Sequence, residues 1–301
     1  MSAPPRLFDR DLHRRRLARA ARGYAGADFL KRRAAEDIVD RLGAIQRQFP
    51  LAADLGARSG VFARALAGQP DVAGKIDTLI ETDLAPAMLA GRAGLRLVLD
   101  EERLPFAEAS LDLAVSSLAL HWANDLVGTL IQVRRTLKPD GLFIGAILGG
   151  ATLTELRQVL LQAESELAPG VGPRVSPFAD AYDGAALLQR AGFALPVSDV
   201  DRVTVRYAHP LRLLADLRAM GETNVLVERP RGPLTRAILG RAVELYVQRF
   251  AEADGRVPAT FEIITLTGWA PHPDQQQPLK PGSAKMRLAD ALGVVEHKAK
   301  R

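Results

Sequence analysis

Five short apolar runs alternate with segments of helical length between residues 51 and 148. The runs are Leu51–Leu55, Ile76–Ile80, Leu95–Leu99, Leu111–Ser117 and Leu142–Leu148. Near-continuous apolar runs of this length are typical of strands buried on both faces of a parallel sheet. Between them, helical spacing is found over Val61–Ala67, Ala85–Ala90 and Leu126–Leu137. The alternation predicts an α/β protein with a doubly wound sheet and right-handed crossovers.

The flanking regions are predicted to extend this sheet. Residues 6–47 have the pattern of two helices. Thr152-Leu-Thr-Glu155 has the form of a capping box and predicts a helix from there to Leu167. Further helices are predicted over Ala181–Ala191, Pro210–Met220 and Leu234–Ala251, strands over Val200–Tyr207 and Phe261–Gly268, and a short segment over Met286–Leu292. Two of the helices form an insertion before the last predicted strand.

Composition excludes several kinds of site. The chain has no cysteine, so it forms no disulfide and has no thiolate nucleophile, iron–sulfur cluster or cysteine-bound zinc. The net charge is +5, and residues 1–22 alone carry +5, because they contain seven arginines and two aspartates. Nucleic-acid binding needs a basic face spread over the fold, and we expect no nucleic-acid partner.

The pattern of hydropathy also bears on location. The longest apolar stretch, Leu142–Leu153, is shorter than the roughly 20 residues that a transmembrane helix needs. The pattern of a secretory leader, a charged region followed by an apolar region and a small-residue cleavage site, is not expected at the basic N-terminus. We therefore expect a protein of the bacterial cytoplasm without a transmembrane segment, and the basic N-terminus leaves contact with the inner face of a membrane open.

Glycines and acids lie at the carboxyl ends of the predicted strands. This is the edge of an α/β sheet at which ligands bind. The first strand leads into Asp54-Leu-Gly56-Ala-Arg58-Ser-Gly60, the second into Asp83, the third into Asp100-Glu101 and the fourth into Ser117 and His121-Trp122. An acid at the end of the second strand, as far along the chain from the glycine turn as Asp83 is, commonly accepts hydrogen bonds from ribose hydroxyls. Each acid taken singly could instead cap a helix or lie in a solvated loop, and His121-Trp122 could be loop packing. Their order along the chain favours a nucleotide-type site.

These residues and their neighbours resemble the class I S-adenosylmethionine-dependent methyltransferases. The resemblance rests on Asp54-x-Gly56, Asp83-Leu-Ala-Pro-Ala-Met-Leu89, Asp100, Leu104-Pro-Phe106, Leu111-Asp-Leu113 and Leu137-Lys-Pro-Asp-Gly-Leu-Phe143. It implies a Rossmann-like, seven-stranded sheet that binds S-adenosylmethionine through Asp54, Gly56, Gly60, Asp83, Leu84, Asp100, Glu101 and Ser117. Asp54 would face the amino group of the methionine part, Asp83 the ribose, and Asp100 with Glu101 the adenine.

One position departs from this family's pattern. Arg58 stands where the middle glycine of the turn is usual. A side chain there either crowds the methionine part of the cofactor or swings outward.

A narrower resemblance covers most of the chain. It is to the family of the mitochondrial complex I assembly factor 5, described as arginine hydroxylases on the methyltransferase fold. It rests on Phe8-Asp-Arg-Asp-Leu12, Leu118-Ala-Leu-His-Trp-Ala-Asn-Asp-Leu126, Lys138-Pro-Asp-Gly-Leu-Phe-Ile-Gly-Ala146, Ser176-Pro-Phe178, Met220-Gly-Glu-Thr-Asn224, Val257-Pro-Ala-Thr-Phe261 and Gly268-Trp269. A related neighbour is the malonyl-carrier-protein methyltransferase of biotin synthesis. The resemblance implies modification of an arginine in a complex I subunit.

With the resemblance, the chain divides into four predicted parts. Residues 1–47 form an N-terminal helical arm or lid, and residues 48–150 the cofactor-binding core. Residues 151–270 hold the remaining elements of the same domain with an insertion on the substrate side, and residues 271–301 form a tail.

Candidate residues for the reaction follow from chemistry. His121 could act as a base or, with Trp122, position the substrate beside the transferred group. An arginine substrate needs convergent carboxylates, for which Asp125, Asp180 and Glu222, with Asn224, are candidates. His272-Pro-Asp274 with His297 has the form of an iron site but lies in a predicted loop, and we expect no metal. Two other hypotheses stay open: methylation of a small molecule or a carrier-bound acyl group, and a non-catalytic assembly chaperone.

Overall fold

A seven-stranded sheet in the order β3-β2-β1-β4-β5-β7-β6 forms the centre of the molecule. The computed structural model describes residues 6–232 and 234–275. The strands are β1 (Phe49–Leu55), β2 (Ile76–Asp83), β3 (Leu95–Val98), β4 (Leu111–Ser117), β5 (Leu137–Leu148), β6 (Ala194–Tyr207) and β7 (Val257–Trp269). The first five strands are parallel, and β7 pairs antiparallel with both β5 and β6. The sheet therefore reverses its order between β1 and β4.

Nine α-helices connect the strands in the described part of the chain. They are α1 (Arg10–Ala20), α2 (Phe29–Ala44), α3 (Val61–Ala67), α4 (Pro70–Ala73), α5 (Leu126–Thr136), α6 (Thr154–Leu167), α7 (Gly184–Arg190), α8 (Pro210–Ala219) and α9 (Arg236–Phe250). Among the residues described, no helix has the length and apolarity needed to cross a bilayer. The described residues up to Pro271 form one compact unit.

Apolar side chains on both faces of the sheet hold the helices in place. One core includes Leu17, Ile38, Phe62, Leu113 and Ile144, and so joins α1, α2 and α3 to one face of the sheet. A second core joins α5 and α7 to the opposite face. A third core lies between α6, α8, α9 and the strands β5 and β7. Burial of this apolar surface supplies the main driving force for the arrangement.

The predicted fold class and the five parallel strands are confirmed, but the burial predicted for the third strand is wrong, because all four residues of β3 are exposed. The bounds of two predicted elements also differ, and one predicted segment is not tested. Ala85–Ala90 forms only a short 3₁₀ turn at Pro86–Met88. The strand predicted from Val200 begins six residues earlier, at Ala194. The segment predicted over Met286–Leu292 lies outside the described residues.

The predicted capping box at Thr152–Glu155 is also wrong. Helix α6 begins at Thr154, and its N-cap residue makes no side-chain bond to the helix. The Thr152 hydroxyl instead accepts from the Glu262 amide at 3.1 Å, and the Glu155 carboxylate accepts from the Thr260 amide at 3.1 Å. Both side chains tie the start of α6 to β7, because the adjacent strand offers donors that the helix would otherwise supply itself.

Candidate functional site

The acids predicted to form the site lie together at the carboxyl edge of the sheet. Arg58 and Gly56 are at its centre: the Arg58 guanidinium contacts Asp83, and a Cβ on Gly56 would lie 3.3 Å from Glu101 Oε1 and 3.6 Å from Arg58 Nη1. Asp54 closes β1 next to this point and is fully buried. We call this place the crevice, defined by Asp54, Asp83, Asp100 and Glu101 around Gly56.

The turn after β1 needs glycine at its two ends. Gly56 has φ +75° and Gly60 has φ +67°, values that side chains other than glycine rarely adopt. A Cβ on Gly56 would lie 2.3 Å from the Cβ of Ala119, and one on Gly60 would lie 1.9 Å from the Arg92 guanidinium carbon. Close approach of Ala119 and a positive φ thus require glycine at position 56, and the positive φ favours glycine at position 60.

Arg58 points into the crevice and not outward. Its side chain is 1% exposed, and its Nη1 donates to Asp83 Oδ2 at 2.7 Å. The same carboxylate oxygen accepts the Arg58 backbone amide at 3.0 Å. Burial lowers the pKa of Arg58, but the charges of Asp83 and Glu101 outweigh this and raise it. The carboxylate expected to face ribose is therefore paired with a fixed cation of the chain itself.

Lys31 of α2 is a residue of the site that sequence reasoning did not find. Its Nζ donates to the carbonyl oxygens of Gly56, at 2.7 Å, and of Ser117. The side chain is 3% exposed, and burial lowers the pKa of its ammonium to about 8. A lysine at the buried position of an apolar row, Lys31, Ala35 and Ile38, is the signal that could have revealed it.

The ammonium of Lys31 also balances Asp54. Both carboxylate oxygens of Asp54 are buried and make no hydrogen bond within the described residues. Burial raises the pKa of Asp54 to about 7, and the charge of Lys31 opposes that rise. The charge of Lys31 therefore acts on Asp54 without a hydrogen bond or ion pair between the two side chains in the described part of the chain.

The N-terminal arm supplies a third cation. Arg10 of α1 contacts Glu101 and donates to Asp100 Oδ1 at 2.6 Å, the two acids predicted to face adenine. A second nitrogen of Arg10 donates to the Trp122 carbonyl at 3.2 Å. Three helices or turns of the chain therefore place one cation against each part of the crevice.

His13 is buried where the N-terminal arm packs against the sheet. Its ring is 1% exposed and lies 4.9 Å from the Trp122 ring, centroid to centroid. Neither ring nitrogen has a hydrogen-bond partner among the described residues. Burial, followed by the charges of Arg58 and Arg10, holds the pKa of His13 well below its ordinary value. The imidazole is therefore neutral at physiological pH.

The residues of the crevice fit an adenosyl cofactor in their chemistry. Asp54 offers two unpartnered buried carboxylate oxygens, and Asp83, Asp100 and Glu101 offer acceptors at successive strand ends. Gly56 provides the positive-φ turn that lets backbone approach a ligand. As the chain stands, these acids are balanced by Lys31, Arg58 and Arg10. A bound cofactor would therefore compete with the chain's own cations.

A cavity of about 560 Å³ adjoins the crevice. Lys31, His121, Trp122, Glu222 and Asn224 are among its lining residues. Trp122 Nε1 donates to Glu222 Oε2 at 2.6 Å, and His121 Nε2 lies 3.3 Å from the same oxygen. The structure thus brings the predicted residues His121, Trp122 and Glu222 into one hydrogen-bonded group at the cavity.

Other predicted residues have structural roles. Asp125 is exposed to a large extent and caps α5 by accepting the Gly128 amide at 2.7 Å, and Asp180 accepts the Tyr182 amide at 3.0 Å. Neither lines the cavity. Their carboxylates are engaged by local backbone because each precedes a helical turn. Asn224 lines the cavity and donates to the Pro173 carbonyl at 2.7 Å, and Leu84 is buried after β2.

The candidate iron ligands do not form a cluster. Within the described residues, no group of three or more histidines and acids is placed to hold a metal ion. His272 Nδ1 accepts the amide of Asp274 at 3.1 Å, which closes a turn. His297 lies outside the described residues.

Comparison with known proteins yields matches over most of the chain. A family model described as a methyltransferase domain matches residues 53–145. The chain is 40% identical over 298 residues to the Homo sapiens protein named "Arginine-hydroxylase NDUFAF5, mitochondrial", covering 97% of this chain and 84% of that protein. It is 33% identical over 283 residues to the malonyl-[acyl-carrier protein] O-methyltransferase of Gallionella capsiferriformans, covering 89% and 93% respectively.

A solved structure shows the same fold at low identity. The crystal structure of the YcgJ protein from Bacillus subtilis matches with a TM-score of 0.53 and 14% identity. The match covers 79% of this chain and 98% of that one. At this identity the likeness concerns the fold alone.

Proposed function

The chain belongs to the family of the arginine-hydroxylase NDUFAF5, within the class I S-adenosylmethionine-dependent methyltransferase superfamily, and on that premise we propose that it modifies an arginine of a protein substrate. S-adenosylmethionine would bind in the crevice, held by Asp54, Gly56, Asp83 and the pair Asp100 and Glu101. When bound, this cofactor supplies an activated methyl group on a sulfonium. Modification is expected to be hydroxylation, following the name of the relatives: one oxygen atom of dioxygen would enter the arginine, and the other would be reduced to water by two electrons and two protons from a reductant outside this chain. The substrate is expected to be a subunit of complex I, as the family resemblance implies.

The observation that carries this proposal is the position of Glu222. It is the acid among the lining residues of the cavity, and its Oε2 is held by Trp122 Nε1 and His121 Nε2. Its Oε1 makes no hydrogen bond within the described residues and is free to accept one from a guanidinium. Charge-assisted bonds between arginine and carboxylate are among the strong hydrogen bonds of proteins. His121 would then lie beside the bound guanidinium and position it.

The decisive experiment compares the substrate with and without this protein. The matching complex I subunit is isolated from a deletion strain and from the same strain complemented, and its arginine-containing peptides are weighed by mass spectrometry. An added oxygen supports hydroxylation, whereas an added methylene indicates methyl transfer to arginine. An unchanged mass in the complemented strain would overturn both peptide-modifying functions.

Glu222→Gln separates the proposed role of this residue from a structural one. The amide keeps the shape of the side chain but removes the charge that a guanidinium needs, so modification should fall by at least about tenfold, the equivalent of one lost charge-assisted bond. Binding of S-adenosylmethionine, measured by isothermal titration, should stay unchanged. Glu228→Gln, at an exposed position of the same loop, is the matched control, and this variant should modify the substrate to the same extent as the wild type.

Methyl transfer to an acyl group is a second candidate, because the cavity is lined by several basic side chains. The malonyl-carrier-protein relatives act on a substrate of that kind by name. A methyl ester on an acyl-carrier protein, found only in the complemented strain, would favour this function.

A non-catalytic role would be favoured if S-adenosylmethionine did not bind in the crevice. Isothermal titration with S-adenosylmethionine and with its demethylated product distinguishes the two cases, since an enzyme using the cofactor must release heat or gain thermal stability on binding it. The bacterial cytoplasm remains the proposed location.

A further inference from the structure

The cavity has an apolar wall that the proposed arginine chemistry does not use. Its lining includes Leu148, Leu153, Leu156, Leu160, Leu214 and Phe261. These side chains come from β5, α6, α8 and β7, and all except half-buried Leu214 are buried. A guanidinium gains nothing from such a wall, because burying a charge beside hydrocarbon is unfavourable. An extended apolar chain would cover it and displace water.

Basic side chains surround this apolar interior. Among the described residues, one acid, Glu222, lines the cavity together with six basic side chains: Arg16, Lys31, Arg174, Arg218, Arg229 and Arg231. The carboxylate of Glu222 offsets only one of these charges. The lining as a whole therefore attracts anions.

Two of these arginines have no role within the described structure. Arg174 pairs with Glu164, Arg229 pairs with Asp9, and Arg16 donates to Thr223. Arg218 and Arg231 make no side-chain hydrogen bond or ion pair in the described part of the chain. Both are exposed, so they mark the mouth of the cavity.

From this arrangement we infer that the cavity binds an amphiphile with one anionic head group and an extended apolar chain. The apolar chain lies against the leucines and Phe261, and the head group is held at the mouth by Arg218 and Arg231. A cavity of about 560 Å³ is within the range of roughly 300–1,000 Å³ in which proteins enclose ligands of this size. This inference does not depend on the proposed function, because it uses neither the crevice nor Glu222.

The head-group requirement is tested with three ligands of equal chain length. Dodecanoate, dodecanol and dodecylammonium are titrated into the full chain below their micelle concentrations, with binding followed by calorimetry. Dodecanoate should bind at a stoichiometry of one and at least about tenfold more tightly than dodecanol, since a charge-assisted bond is added. Equal or tighter binding of dodecylammonium would overturn the inference.

Variants at the mouth test where the head group lies. Arg218→Gln and Arg231→Gln should each weaken dodecanoate binding about five- to tenfold and leave dodecanol binding unchanged. Arg212→Gln, at an exposed position of the same helix as Arg218 but outside the cavity lining, is the matched control. Unchanged dodecanoate affinity in both mouth variants would overturn the assignment.

Chain length and head-group type complete the test. From octanoate to decanoate to dodecanoate, the affinity for the protein should increase about tenfold for each added pair of methylenes, as expected for burial of hydrocarbon. Dodecyl phosphate distinguishes a phosphate from a carboxylate source, and tight binding of either supports an anionic head. Affinity that is independent of chain length, or arginine-dependent binding to vesicles of anionic phospholipid without binding of the monomers, would overturn the cavity site.

Discussion

The crevice and the cavity lie side by side at one sheet edge but balance their charges in opposite ways. In the crevice, three cations of the chain itself oppose four acids, so most of the negative charge of the site is already compensated. In the cavity, cations are in excess and Arg218 and Arg231 face solvent without a partner in the described residues. The difference indicates that a ligand of the crevice must displace groups of the protein, whereas a ligand of the cavity need only displace water.

The largest expected effect comes from breaking the buried pair in the crevice. Asp83→Asn leaves the Arg58 guanidinium buried without its counter-ion, and such a loss lowers the free energy of unfolding by about 3–5 kcal/mol. Urea denaturation monitored by circular dichroism measures it. Asp201→Asn, which removes the exposed partner of Arg33, should change stability by at most about 1 kcal/mol. A loss equally small for Asp83→Asn would contradict the closed crevice.

The buried imidazole of His13 should make the stability of the protein depend on pH. The folded pKa of His13 is lowered below 6.5, so the unfolded chain takes up a proton that the folded chain refuses. The contribution of His13 to the free energy of unfolding is therefore fully present above about pH 6.5. Below that pH it falls by up to about 1.4 kcal/mol for each pH unit. His13→Leu should remove this slope between pH 6.5 and 5, while His209→Gln at an exposed position should keep it. An identical slope in wild type and His13→Leu would assign it to other groups.

Replacing the cation at the glycine turn should open the crevice. Arg58→Gly restores the usual middle glycine and releases Asp83, so S-adenosylmethionine should bind about tenfold more tightly in isothermal titration. Ser59→Gly is the control, because it relaxes a neighbouring positive φ of 39° without removing a charge. Should both variants tighten binding equally, turn flexibility and not the cation limits affinity.

The smallest effect is expected from the arm. Arg10→Gln frees Asp100 and Glu101, but the Asp100 side chain is 30% exposed and partly solvated, so affinity for S-adenosylmethionine should rise only about two- to fivefold. Raising the salt concentration should reduce the difference between wild type and variant, since screening weakens the pair. Arg14→Gln, on the exposed side of the same helix, should leave affinity unchanged. Weaker binding in Arg10→Gln would mean that the arginine holds the cofactor instead of competing with it.

Much of this fold was predictable because its signals are local. Short apolar runs predicted β1 to β5, although β3 is exposed along its length, and acids at or directly after the ends of three of these strands predicted one ligand edge. The capping-box prediction failed for a non-local reason. Thr152 and Glu155 find their partners on β7, far away in sequence, and Ala85–Ala90, despite its helical spacing, forms only a 3₁₀ turn at Pro86–Met88.

The sequence by itself determined the order of strands and helices, the glycine turn and the acids at the strand ends, because each depends on spacing along the chain. Only the tertiary structure decided what those acids face. Lys31, Arg58 and Arg10 come from a helix, a turn and the N-terminal arm, and Lys31 is 25 residues from Gly56 and 86 from Ser117. Contacts over such separations arise from packing of whole elements, which no local pattern encodes. The same holds for the cavity, whose apolar wall and cationic mouth come together only when α6, α8 and β7 pack against one another.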